Sequence, residues 1–122
     1  PGSMGQFASM TLSERKQLLE AWVPAARQHK LYLIAHCGTT ALKDSIELAE
    51  HAQRIGADAI ASVPPYYQTA SNVATVLDFI GPIARAAPKL PFFYYHIPGT
   101  TRTEINAFDL MEAATDAMPQ LM

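Results

Sequence analysis

Leu90-Pro91-Phe92-Phe93-Tyr94-Tyr95-His96-Ile97-Pro98-Gly99 carries the decisive signal in this 122-residue chain. Phe92 to Tyr95 is a short run of aromatic residues, the kind that fits a pleated and largely buried strand. His96-Ile97-Pro98-Gly99 stops it, because proline cannot continue a sheet ladder and glycine opens a turn. Upstream, Ser71 is expected to cap a helix carrying Val73, Val76, Leu77, Ile80, Ile83 and Ala84, with Gly81-Pro82 interrupting or bending it. Further back, Ala59 to Val63 reads as a second strand closed by Pro64-Pro65, with Tyr66 and Tyr67 beyond it.

The same rhythm runs to both ends. Thr11-Leu12-Ser13-Glu14 has the Ser/Thr-x-x-Glu form in which two side chains satisfy the free N–H groups that open a helix. Leu18, Leu19, Trp22 and Val23, with Ala26, supply that helix's apolar face, and Pro24 predicts a kink or a tightened last turn. Leu31 to His36 is apolar at nearly every position, which predicts a strand buried on both faces and ending at Cys37-Gly38. Thr39 or Thr40 is expected to cap the next helix, which carries Ile46, Ala49, Ala52 and Ile55 and ends at Gly56 in a left-handed turn. A last helix is expected from Ala107 to Asp116, with Pro119 ending it.

The order is therefore αβαβαβα, and strands joined through helices of this length must run parallel. Three such strands suit a partial (β/α)8 barrel or part of an open doubly wound α/β sheet, and periodicity does not choose.

Composition narrows the function. The chain is 49% hydrophobic and 16% charged with a formal charge of −2, the profile of an ordinary globular domain with no basic patch for nucleic acid or an anionic membrane. No apolar run approaches the ~18 residues of a spanning helix, and no secretory leader is expected. The single cysteine, Cys37, cannot pair within the chain, which points to a reducing, cytoplasmic compartment. Pro1-Gly2-Ser3 reads as the scar of a cleaved tag, leaving residues 4–122 as one domain.

Other features reduce to ordinary ones. His36 and His96 both end strands, but no carboxylate accompanies them at ligand spacing, so no metal is expected. Cys37 reads as a small buried filler rather than a nucleophile. Cys37-Gly38-Thr39-Thr40 lacks the lysine and most of the glycines of a phosphate loop.

Val63-Pro64-Pro65-Tyr66-Tyr67 and Tyr94-Tyr95-His96-Ile97-Pro98, one helix apart, resemble the fourth- and fifth-strand motifs of the N-acetylneuraminate lyase and dihydrodipicolinate synthase family of aldolases. Thr11 to Arg15, Leu42 to Ala49 and Ile55 to Ala59 resemble that family's second helix, third helix and approach to strand four. The resemblance covers Gly5 to the C-terminus and implies the middle of a (β/α)8 TIM barrel. Its Tyr-His-Ile-Pro wording is nearer the sialic acid lyases than the lysine-biosynthetic synthases.

What the resemblance implies is a class I lyase that joins pyruvate to a lysine as a Schiff base and needs no cofactor. Tyr95 falls at the proton-relay tyrosine, Tyr67 at a tyrosine reaching across a dimer contact, and Gly5 at the tail of the loop that binds the substrate carboxylate. Met4, Gln6 and Pro64 depart from the family's threonine, acidic residue and threonine. The lysine is expected in a Gly-x-Lys strand beyond Met122. Lys16, Lys30, Lys43 and Lys89 are expected on helices or loops, so the expectation is a truncated chain without turnover of its own. The implied ligand is a 2-keto acid or sialic acid. Three strands with open edges further predict a homo-oligomer. A non-catalytic half-barrel that serves binding or assembly is the competing reading.

Overall fold

A computed structural model describes every residue of the chain except residue 116. Three strands, β1 (Ile34–His36), β2 (Ala59–Ser62) and β3 (Phe92–Tyr94), form one parallel sheet in the order β1-β2-β3. That sequential order is the one a barrel wall requires. Ile60 aligns with both Ala35 and Phe92, and Ala61 aligns with His36 and Phe93. Since side chains alternate across a strand, the sheet has two distinct faces. Ala35, Ile60 and Phe92 lie on one, all buried. Ile34, His36, Ala61 and Phe93 lie on the other, none of them fully buried.

The buried face packs under α2 (Leu42–Ile55) and α3 (Val73–Ala86), where Leu48, Ala49, Ala52, Val76, Ile80 and Ile83 complete the core. Small alanines on α2 let that helix approach the sheet closely, and the larger Ile80, Ile83 and Phe92 fill the remaining space. α5 (Ala107–Ala114) closes the core through Leu110 and Ala114. Past β3, a parallel bridge sets Leu121 beside Phe92, with the Phe92 amide donating to Gln120 at 2.8 Å and the Met122 amide to Phe92 at 2.9 Å.

Several expectations hold in detail. α1 (Leu12–Gln28) opens with the capping box: Thr11 accepts from the Glu14 amide at 3.2 Å, and the Glu14 carboxylate accepts from the Thr11 amide at 2.8 Å. Gly56 ends α2 at φ +86°, a conformation glycine adopts without steric penalty.

Others need correction. The first strand is only Ile34–His36, not Leu31 to His36, and it is not buried on both faces: Tyr32 is 89% exposed and Ile34 49%. β1 has a neighbour on one side only, so the apolar run marks a surface that this chain leaves open. Trp22 is likewise half-exposed, and the α1 face turned inward is built on Arg15 and Ala26. Neither Thr39 nor Thr40 caps α2. Ala41 holds that position, and the Thr39 hydroxyl bonds the Ala41 backbone and Ser45 instead. Asn72 rather than Ser71 caps α3, accepting from the Thr75 amide at 2.9 Å.

Pro24 and Pro82 both sit inside unbroken helices. Each removes a bond to a carbonyl four residues earlier, on Glu20 and Asp78, and both of those residues are exposed, where water can replace it. The second and third strands end one residue earlier than expected, at Ser62 and Tyr94. Pro98 opens a short helix, α4 (Pro98–Thr101), in the segment expected to be only a stop. The expected end of the last helix, Asp116, lies outside the described residues.

Candidate active site

Tyr95 follows β3 directly, and its amide donates to the Ser62 carbonyl at 2.9 Å, so the backbone there is still fixed by β2. Alternation puts it on the open face with Phe93, at the C-terminal end of the sheet, where the residues of barrel active sites gather. Its ring meets His36 edge to face, the centroids 6.0 Å apart and the planes at 85°. Gly2 lies over the same ring, 3.6 Å from Cε1 when a Cβ is built on it. Gly2, within the stretch read as a tag scar, therefore packs against this ring.

His36 belongs to an aromatic chain that crosses the ends of all three strands. Its ring lies 4.4 Å from that of Phe7, and Phe7 meets Tyr66 edge to face at 5.7 Å. Arg15 lies over the Phe7 ring, its guanidinium 5.3 Å from the centroid. From α1 the same guanidinium donates to the carbonyls of His36 at 2.7 Å and Gly38 at 3.0 Å. Burial, helped by the charge of Arg15 and by the amino terminus, pushes the His36 imidazole down to about 3, so it is neutral across the physiological range.

Gly38 permits this closeness. A Cβ there would sit 2.9 Å from Val63 Cγ2, 3.1 Å from the His36 ring and 3.1 Å from Ser62 Oγ. The loops after β2 and β3 are joined by Thr103, whose hydroxyl donates to the Pro65 carbonyl at 3.2 Å. Between them a cavity of about 280 Å³ is lined by Ser3, Phe7, Val63, Tyr66, Ile97 and Thr101. Pro64, where the family pattern has a threonine, is fully buried and brings no hydroxyl to this wall.

Of Tyr95, Tyr67 and Gly5, the three site residues the resemblance implied, only Tyr95 stands in the aromatic cluster; His36, weighed in the sequence as a metal candidate, stands in it as an aromatic partner. Tyr67 is 80% exposed on the turn after Pro65 and shares a separate surface hollow with Thr75 and Phe79. Gly5 lies in a 3-10 turn over the sheet edge. Cys37 is buried, its thiol raised to about 12 by desolvation, and it serves as packing rather than as a nucleophile. His96 stacks on Tyr94 at 5.7 Å, apart from His36. Lys16 and Lys43 are on α1 and α2, Lys30 follows α1, and Lys89 follows α3; none is at a strand end.

Phe7, Arg15, His36 and Tyr66 are the members of the site that motif reading did not assemble. No local signal in the sequence gathers them: they come from separate stretches, and Arg15 sits on a helix whose pattern does not set it apart.

Comparison with known proteins accords with this geometry. Residues 1–116 match the model of the dihydrodipicolinate synthetase family. The chain is 41% identical over 118 residues to the N-acetylneuraminate lyase of Sus scrofa and 40% identical to that of Homo sapiens, covering 97% of this chain and 37% of each relative. It spans well under half the length of the relatives it matches. The Proteus mirabilis N-acetylneuraminate lyase superposes with a TM-score of 0.93 at 31% identity, over 98% of this chain and 40% of that one. The dihydrodipicolinate synthase from Cyanidioschyzon merolae does so with a TM-score of 0.88 at 28% identity, over 98% and 41%. With three parallel strands in sequential order, a tyrosine-bearing mouth and this match along nearly its whole length, the chain belongs to the dihydrodipicolinate synthetase family.

Proposed function

We propose that this chain carries one wall of the site of a class I pyruvate-dependent lyase of the N-acetylneuraminate type, which cleaves sialic acid to pyruvate and N-acetylmannosamine. Tyr95 is the observation that carries this reading: a phenol at the barrel mouth, fixed by β2 and braced by a neutral imidazole. In such a reaction an amine condenses with the keto carbon, and a nearby acid–base group moves the proton of the substrate hydroxyl as the carbon–carbon bond breaks. Tyr95 is that proton carrier in the proposal. Gly5 supplies part of the loop facing the carboxylate, and Tyr67, standing out from the surface, reaches toward a neighbouring copy. With Pro64 the wall lacks a hydroxyl that would tune the phenol, which favours a slower relay than the family pattern provides.

No lysine of this stretch is placed to form the imine. All four lysines lie on helices or loops away from the strand ends, so the chain by itself binds without turning over. Lone, buried Cys37 is in keeping with a cytoplasmic setting. The test is a titration with pyruvate and with sialic acid, followed through the ring protons of Tyr95, beside an assay for pyruvate release. The proposal expects the Tyr95 signals to move and no pyruvate to form. Signals that ignore both ligands would remove Tyr95 from the site.

A second reading, a non-catalytic half-barrel for binding or assembly, is favoured by one observation. The free edge of β1 is flanked by exposed Leu31, Tyr32, Ile34 and Trp22, an apolar strip well suited to a partner surface, most simply that of a second copy.

A further inference from the structure

Arg15 is an unusual residue to find at 3% exposure. It makes no ion pair among the described residues. A buried guanidinium without a carboxylate is costly unless its N–H groups are placed with care; here both terminal nitrogens are spent on the His36–Gly38 turn, and Nε has no partner among the described residues. Nη2 donates to the His36 carbonyl at 2.7 Å and faces Nδ1 of the same residue's ring at 3.4 Å, while Nη1 donates to the Gly38 carbonyl at 3.0 Å. Backbone and ring of His36 are thus gripped together.

The chemistry of that grip decides where the imidazole proton sits. A guanidinium can only donate, so the ring nitrogen facing it must be a lone pair. The proton of the neutral ring is then on Nε2. That nitrogen is buried and makes no hydrogen bond among the described residues, and buried donors of this kind are rare unless something else uses them. The ring stands against Tyr95, on the open sheet face.

We propose that Arg15 is a positioning residue of this site. It locks His36 as a neutral imidazole with its proton on Nε2 beside Tyr95, where that N–H donates to a carboxylate or keto oxygen of the bound 2-keto acid. The ligand half rests on the function proposed above; the lock does not. The uncompensated charge of Arg15 also favours an anion nearby over a cation. The charged groups acting on His36 are Arg15 from α1 and the amino terminus of Pro1, with the Tyr95 ring against the imidazole; Arg15 in turn feels Cys37, Tyr66 after β2 and Asp44 of α2.

Nitrogen-15 NMR of the 122-residue chain, labelled at histidine, tests both halves. The expected His36 spectrum is that of the Nε2–H tautomer, unchanged from pH 8 down to about pH 4. In Arg15→Met the ring is released: the tautomers mix, and the protonation midpoint rises by about one unit or more. Arg15→Lys keeps the charge but cannot reach both carbonyls and the ring, so it restores the midpoint only in part and leaves the tautomers mixed.

An Nδ1–H or charged His36 in the unaltered chain overturns the lock, and does so even if the variants fail to fold. A folded Arg15→Met with an unmoved His36 overturns it as well. Pyruvate is then added to the unaltered chain. A shift of the Nε2–H signal is expected. Shifts at Tyr95 without one at His36 would remove the imidazole as a ligand contact. Silence at both would instead contradict the 2-keto-acid reading while the tautomer result stands.

Discussion

At Gly38 the backbone passes so close to Val63, Ser62 and the His36 ring that one methyl group has no room. The contacts are with packed atoms rather than the free end of a flexible chain, so Gly38→Ala must displace the imidazole. The expected cost is about 1–3 kcal/mol in urea unfolding, accompanied by a change in the His36 ring signals. An unaltered His36 spectrum in that variant would contradict the packing described.

His36 also sets a pH dependence. In the unfolded chain its imidazole takes up a proton near 6.5, whereas the folded ring resists until about 3. Between those values the unfolded state binds more protons, so stability falls as pH drops through the window. Above it neither form is charged, and the contribution is level. The loss is up to roughly 1.4 kcal/mol for each pH unit in the window. His51, lowered by burial and by Arg54, adds to the same slope. Urea midpoints measured from pH 7 to 4 should therefore decline, and His36→Gln should flatten the decline without abolishing it.

The place of Tyr95 at the end of a strand was legible in the sequence because its motif is contiguous. The clamp on His36 was not, because Arg15 and His36 are 21 residues apart. Nothing in a helical pattern marks one arginine as buried.

Among the elements, the caps show what local sequence can and cannot settle. The Thr11–Glu14 box was readable since both partners sit at fixed offsets and satisfy each other. Ser71 and Asn72 are both good caps, and the choice between them depends on where the preceding loop delivers the chain. Asn72→Ala should cost about 1 kcal/mol, while Ser71→Ala should stay within about 0.5 kcal/mol of the unaltered chain. The reverse ranking in thermal or urea unfolding would return the cap to Ser71. β1 was misjudged for a different reason. Hydrophobic pattern reports the surface a strand is built to cover, and Leu31, Tyr32 and Ile34 are apolar although this chain leaves them exposed. Strand number and parallel direction followed from the pattern and its connection lengths, which are local quantities, whereas strand order came with the family resemblance.

For the molecule as a whole, that open edge is the main physical liability. Ladder groups without partners and an apolar strip beside them favour self-association. Light scattering should show a mass that rises with concentration, and Ile34→Lys, which places a charge on the open face, should lower it. A concentration-independent monomer would count against the edge as a contact surface. The relation to the lyases operates at this scale too, since the match runs through nearly all of the chain but only 37% of the Sus scrofa enzyme.

The central claim is the proposal that this chain carries a tyrosine-lined wall of a pyruvate lyase with none of its lysines placed to form the imine. Borohydride reduction in the presence of pyruvate, read by intact mass, tests it most directly. The account predicts an unmodified chain; a stable pyruvate-sized increment mapped to Lys16, Lys30, Lys43 or Lys89 would contradict it.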